Sequence, residues 1–118
     1  MRASPSAAPE SVVQQQLDAY NARDLGKFLM AFSEDVQVFR PPATQPAIAG
    51  KKAFGDFYAT QRFCHEGLRA ELLNRIVLGN RIIDHERITG VSAAAFEVAV
   101  VYEVSDGLIR RLWTYAKD

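Results

Sequence analysis

Asp84, His85, Glu86 and Arg87 form an unbroken run of charged or titratable side chains between Ile82-Ile83 and Ile88, residues that read as a core strand. A strand sends alternate side chains to opposite faces. Asp84 and Glu86 therefore travel with Ile82 and Ile88, whereas His85 and Arg87 travel with Ile83 and Thr89. Two carboxylates so placed stand about 7 Å apart at their backbones. In an apolar pocket, burial and mutual repulsion raise at least one of their pKa values, which makes one an acid and the other a base. Asp84 and Glu86 are thus the candidate acid/base pair, with Arg40 as candidate electrostatic partner. The alternative is structural: both lie at a rim or pair off with Arg75, Arg81 or Arg40. His85 carries the ring that titrates near neutrality, and a one-residue slip of register would turn it and Arg87 inward instead.

Other chemistries find less support. Cys64 and His65 are adjacent, so their side chains do not face each other, and no third member of a nucleophilic set stands out. Two histidines and one cysteine without ligand spacing argue against a metal site. Gln16, Tyr20 and Tyr58 offer hydrogen bonds from helical segments. The 118 residues are 48% hydrophobic and 24% charged, with 14 basic and 14 acidic side chains and no basic stripe. That balance disfavours a nucleic-acid binder acting through phosphates. No segment has the length and apolarity of a signal peptide or membrane span, and a lone cysteine suits a reducing compartment. A cytoplasmic protein with no membrane association is expected, in one domain over residues 9–118 after a disordered Ser/Pro/Ala lead-in over 1–8.

These side chains need elements to hold them. Val12, Val13, Gln16, Leu17 and Tyr20 share one stripe of a helix over about 9–21. Asp24 caps a second helix expected to carry Leu25, Phe28, Leu29 and Phe32 and to end at "SED". "VQVFR" reads as a strand stopped by Pro41-Pro42, "QPAIAG" as a short return, and a third helix bears Phe54, Phe57 and Tyr58. Period-two patterning then takes over in "LRAELLNRIVL", "RIIDHERITG", "AFEVAVVYEV" and "LIRRLWTYA", with a hairpin signal at Gly79-Asn80. Helices followed by hairpin-linked strands predict an α+β fold, with the helices on one face of a bent, mostly antiparallel sheet.

"VVQQQLDAYNARDLGKFLMAF", "EDVQVFRPP", "AIAG" with "AFGDFYA", and the closing "DGLIRRLW" resemble the ketosteroid isomerases and their SnoaL-like relatives in the nuclear transport factor 2-like superfamily. The resemblance runs from about Glu10 to the last strand. It implies a cone-shaped, cystatin-like fold in which three helices cover a curved sheet around an apolar pocket. It also implies a small apolar ligand and no cofactor. Two activities fit: a cofactor-free enzyme of isomerase, cyclase, dehydratase or hydrolase type, or a non-catalytic ligand-binding or dimerisation module.

Comparison with the isomerases turns Asp84 and Glu86 toward the pocket. The isomerase catalytic positions fall on Gln16, Arg40 and Val100, none of which is an acid or a base at neutral pH, while the third-helix tyrosine is kept as Tyr58. The expected lining comprises Phe28, Phe32, Phe54, Tyr58, Val98, Val100 and Tyr102, with Gln16 and Tyr20 on the helical wall and the opening near Arg40. The same comparison points Leu112 and Thr114 inward. It leaves Ile83, Val101, Ile109, Arg111, Trp113 and Tyr115 outward, rimmed by Glu97 and Glu103, as the face of an expected homodimer.

Overall fold

The computed structural model describes residues 8–117, so all of the expected lead-in but Ala8 lies outside the described residues. Three helices, α1 (Pro9–Asn21), α2 (Leu25–Leu29) and α3 (Lys51–Gln61), accompany six strands. The strands are β1 (Phe32–Phe39), β2 (Ile48–Ala49), β3 (Arg69–Leu78), β4 (Arg81–Thr89), β5 (Phe96–Ser105) and β6 (Leu108–Ala116). They form one sheet in the order β2-β1-β6-β5-β4-β3, antiparallel throughout except where β1 runs parallel to β6. α1 packs across β3 to β6, α3 packs on β1 and β2, and α2 bridges α1 and α3. The fold is α+β, as the patterning predicts.

Local chemistry accounts for the elements. Pro9 opens α1, where its missing N–H costs nothing, and the Asp24 side chain caps α2 by accepting from the Lys27 amide. Asn21 ends α1 by pairing with the backbone of Ala70 in both directions, accepting at 2.7 Å and donating at 2.9 Å. This pins the helix to the start of β3. α2 is shorter than expected: it stops at Leu29, and Phe32 with the "SED" that follows already belongs to β1. No helix among the described residues is long and apolar enough to cross a membrane.

Two bulges set which side chains face the helices. In β3 the register shifts between Leu72 and Asn74, leaving Leu73 unpaired. Simple alternation from Ala70 and Leu72 would send Arg75 outward; the extra residue turns it inward, opposite Asp84. Between β5 and β6 the register shifts after Glu103, so that Val104 pairs with Ile109 and Arg110 is passed over. Ile109 is therefore fully buried rather than outward, a correction to the alternation read from the sequence.

Candidate active site

A cavity of about 500 Å³ opens between the three helices and the covered face of the sheet. Gln16 and Tyr20 of α1, Phe28 of α2 and Tyr58 of α3 form one wall; Glu86 of β4 and Val98, Val100 and Tyr102 of β5 form the other. Phe32 and Phe54 do not reach the cavity. They pack behind Phe28, with ring centroids 4.9 and 5.8 Å from it, as part of the solid core. Phe32 is placed there because it begins β1 instead of ending α2.

β4 alternates as read: Ile82, Asp84, Glu86 and Ile88 are buried, whereas His85 and Arg87 are exposed. The two carboxylates nevertheless differ in kind. Asp84 is fully buried and clasped by Arg75, whose Nε and Nη2 donate to Oδ1 and Oδ2 at 2.7 and 2.9 Å. Arg75 in turn donates through Nη1 to Gln14 at 2.8 Å. Asp84 is thus a paired charge beside the cavity and is not part of its lining. The expected counter-ion, Arg40, lies elsewhere. It sits at the cavity mouth with its guanidinium over the Phe57 ring, 5.2 Å from the centroid.

Glu86 lines the cavity, 6% exposed, and its buried Oε2 has no hydrogen-bond partner. Its neighbours across the sheet are Leu72 and Val98, neither of which can donate from a side chain. Burial, reinforced by the negative charge of Asp84 and only partly offset by Arg75, pushes its pKa up to about 7. Asp84 is met by a bidentate guanidinium, whereas Glu86 faces the cavity without one.

Three tyrosines share the cavity. Burial pushes Tyr58 up to about 12 and also raises Tyr20 and Tyr102, so all three keep their protons and can donate. Gln16 Nε2 donates to the Tyr102 hydroxyl at 3.3 Å and to the Val13 carbonyl at 3.0 Å. Because its oxygen accepts from Gln16, the Tyr102 hydroxyl has its own proton free for another partner.

Two functional positions escape a reading by alternation alone. Arg75 faces inward only because of the bulge at Leu73. Arg62 caps the end of α3 and reaches the mouth, where only the run of aromatics around it gives a hint. Cys64 is exposed, with Sγ on the Thr60 carbonyl, and neither it nor His65 lines the cavity. Among the described residues no group of three or more His, Cys, Asp or Glu is placed to hold a metal ion.

This layout of helices and mixed sheet is shared with solved structures. A candidate ketosteroid isomerase from Kribbella flavida superposes with a TM-score of 0.82 at 18% identity, over 94% of this chain and 78% of that one. An NTF2-like protein of unknown function from Mesorhizobium loti gives 0.81 at 19%, over 100% and 98%. A candidate polyketide cyclase from Sinorhizobium meliloti gives 0.76 at 20%, over 88% and 93%. At such identities the likeness is one of fold, and the fold is that of the NTF2-like, cystatin-like proteins. The model of the SnoaL-like domain matches residues 13–112, and the chain belongs to the SnoaL-like family. None of the curated proteins matches the chain by sequence.

Proposed function

We propose that the protein is a cofactor-free enzyme that moves a proton on a small, largely apolar substrate, with Glu86 as the general base and acid. The observation that carries this reading is the Glu86 carboxyl itself. It is buried on the wall of a cavity of ligand size, has an orphaned Oε2, and is held near pH 7 between its two protonation states. A catalytic acid or base works best with its pKa near the operating pH. A structural carboxyl with this burial would ordinarily have a partner, as Asp84 has Arg75.

The chemistry runs as follows. Glu86 Oε2 takes a proton from a carbon next to a carbonyl. The electron pair left behind moves onto the carbonyl oxygen, where the free Tyr102 proton stabilises the developing negative charge. The protonated Glu86 then returns its proton to a second carbon of the same substrate, to a hydroxyl departing from the neighbouring carbon, or to the oxygen of a second carbonyl whose carbon the enolate carbon has attacked to close a ring. These endings correspond to isomerisation, dehydration and cyclisation. Asp84 takes no part in the transfer; it keeps the Glu86 proton affinity high.

Solvent-deuterium exchange tests this reading. Small ketones and esters that raise the melting temperature are incubated in deuterated buffer and followed by NMR. The wild type is expected to exchange a carbon-bound proton of at least one of them with a pH profile inflecting near 7. Glu86→Gln should slow that exchange by about 100-fold or more while still binding the same compound. Binding without exchange, or exchange indifferent to Glu86→Gln, supports a non-catalytic ligand-binding module instead.

The proposed protein partner is a second copy of the chain, docked through the outer face of the sheet. Cross-strand pairing aligns Phe39, Trp113, Val101, Ile83 and Ile76 in one apolar row across five strands on that face. Phe39 and Trp113 stack at 5.5 Å. The flanking glutamates are paired within the chain, Glu103 with Arg81 and Arg111, and Glu97 with His85. The row itself, rather than charges crossing to a partner, therefore supports the pairing. A single exposed thiol at Cys64 suits a reducing compartment such as the cytoplasm.

A further inference from the structure

We infer that the substrate carries a carboxylate and that Arg40 and Arg62 dock it at the cavity mouth, an inference that rests on the cavity being a ligand site. Arg40 follows the end of β1 and Arg62 follows the end of α3, and both line the opening. Their guanidinium carbons stand over the same Phe57 ring, 5.2 and 5.7 Å from its centroid, and Arg62 also lies 5.9 Å from the ring of Phe96. Aromatic stacking holds each plane in place and leaves its N–H edges for another partner.

Within the protein Arg62 meets only neutral oxygens, the Gln61 carbonyl at 3.4 Å and the Tyr20 hydroxyl, and neither supplies a counter-charge. Arg75, Arg81, Arg87, Arg110 and Arg111 each meet a carboxylate. Among the described residues none lies within ion-pairing reach of Arg40 or Arg62. Two fixed cations sharing one ring repel each other, and an anion between them relieves that repulsion. The β4 wall of the cavity carries Glu86 and offers no free cation, because Arg75 is taken up by Asp84. A substrate with one anionic end can enter in only one sense: carboxylate at the mouth, apolar body against Phe28, Val98 and Leu112, reacting atoms toward Glu86. The charge layout thus supplies orientation as well as affinity.

The test uses matched probes of equal shape, 1-naphthylacetate and its neutral amide, together with phenylacetate and phenylacetamide, titrated by calorimetry at low and at 0.5 M salt. The wild type is expected to bind each acid about tenfold or more tightly than its amide at low salt, with the preference shrinking in high salt. Arg40→Gln/Arg62→Gln should bring acid and amide to equal affinity in a protein that stays folded, its ligand-free melting temperature falling by no more than a few degrees as the ring contacts are lost. Arg62→Lys, which keeps the charge, should retain part of the preference. Equal binding of acid and amide by the wild type, or a preference that survives the double substitution, overturns the carboxylate assignment and leaves the cavity as a site for neutral ligands. Failure of all four probes to bind overturns this inference together with the ligand-site reading beneath it.

Discussion

Glu86 and Asp84 share one strand face and one residue type of charge, yet β3 separates their chemistry by placing Arg75 against one and Leu72 against the other. The consequence for Glu86 can be measured without a substrate. Its carboxyl keeps a proton up to about pH 7 when folded, against an ordinary value of 4.5. Between those values the unfolded chain binds fewer protons than the folded one. Stability from this group is therefore fully present below pH 4.5, falls by about 1.4 kcal/mol per pH unit as pH rises, and levels off above 7. Glu86→Gln removes the slope, so the variant should be more stable than wild type at pH 8, by about 3 kcal/mol, with little difference at pH 4.5; urea unfolding at both pH values measures it. Asp84→Ala should behave oppositely. Leaving Arg75 buried beside a lost partner is expected to cost about 3–5 kcal/mol, whereas the paired change Arg75→Met/Asp84→Leu should recover most of that. The isomerase positions yield a further expectation: with Gln16, Arg40 and Val100 in place of acids and base, a 3-oxo-Δ5-steroid should not be turned over at an isomerase-like rate, as a spectrophotometric assay would detect.

At the scale of elements, the hairpin of β3 and β4 depends on a close backbone approach at its base. Gly90 has φ of +83°, and a Cβ there would collide with the carbonyl group of Gly67. Gly90→Ala is expected to destabilise by about 3 kcal/mol or more. Gly79→Asn, at the other end of the hairpin in open space with φ of +60°, should cost well under half of that; thermal melts of the two variants compare them directly. Period-two patterning made β4 and β5 legible, down to the inward carboxylates, because both strands run unbroken through the regions that matter. It failed where an extra residue interrupts a strand. The bulge at Leu73 inverts Arg75, and the one at Arg110 inverts Ile109, and neither bulge carries a glycine to announce it. The second helix misled for a related reason: Phe28 and Phe32 are four apart and fit a helical stripe, but the chain reaches the same core from a strand after α2 has ended. Asn21 cannot be read from pattern at all, since its role is to hydrogen-bond a strand that lies 49 residues away in sequence.

Across the whole molecule, charge and apolar surface are sorted by face. The covered side of the sheet holds the cavity, with the Glu86 carboxyl on its β4 wall and two guanidiniums at the mouth, while the outer side carries the apolar row bordered by ion pairs closed within one chain. A monomer would leave that row in water, with Ile76 46% exposed at its end. Size-exclusion chromatography with light scattering is expected to give a dimer at micromolar concentration. Ile83→Lys and Trp113→Glu should each yield folded monomers, and a monomeric wild type would contradict the pairing. The fold class was legible at this scale because element order alone prescribes which face the helices must cover. The counter-ion of Asp84 was legible only as one of Arg75, Arg81 and Arg40, because which of them turns inward depends on a bulge.

The proposed proton transfer depends on the protonation of one carboxyl, and the most direct test is a carbon-13 NMR titration of the glutamate side chains, with Glu86→Gln assigning the resonance. The expected result is a Glu86 midpoint near pH 7, which moves down when Asp84 is neutralised together with Arg75. A midpoint at the ordinary 4.5 would mean that Glu86 is solvated or paired in solution, and the proposed acid/base role would fall with it.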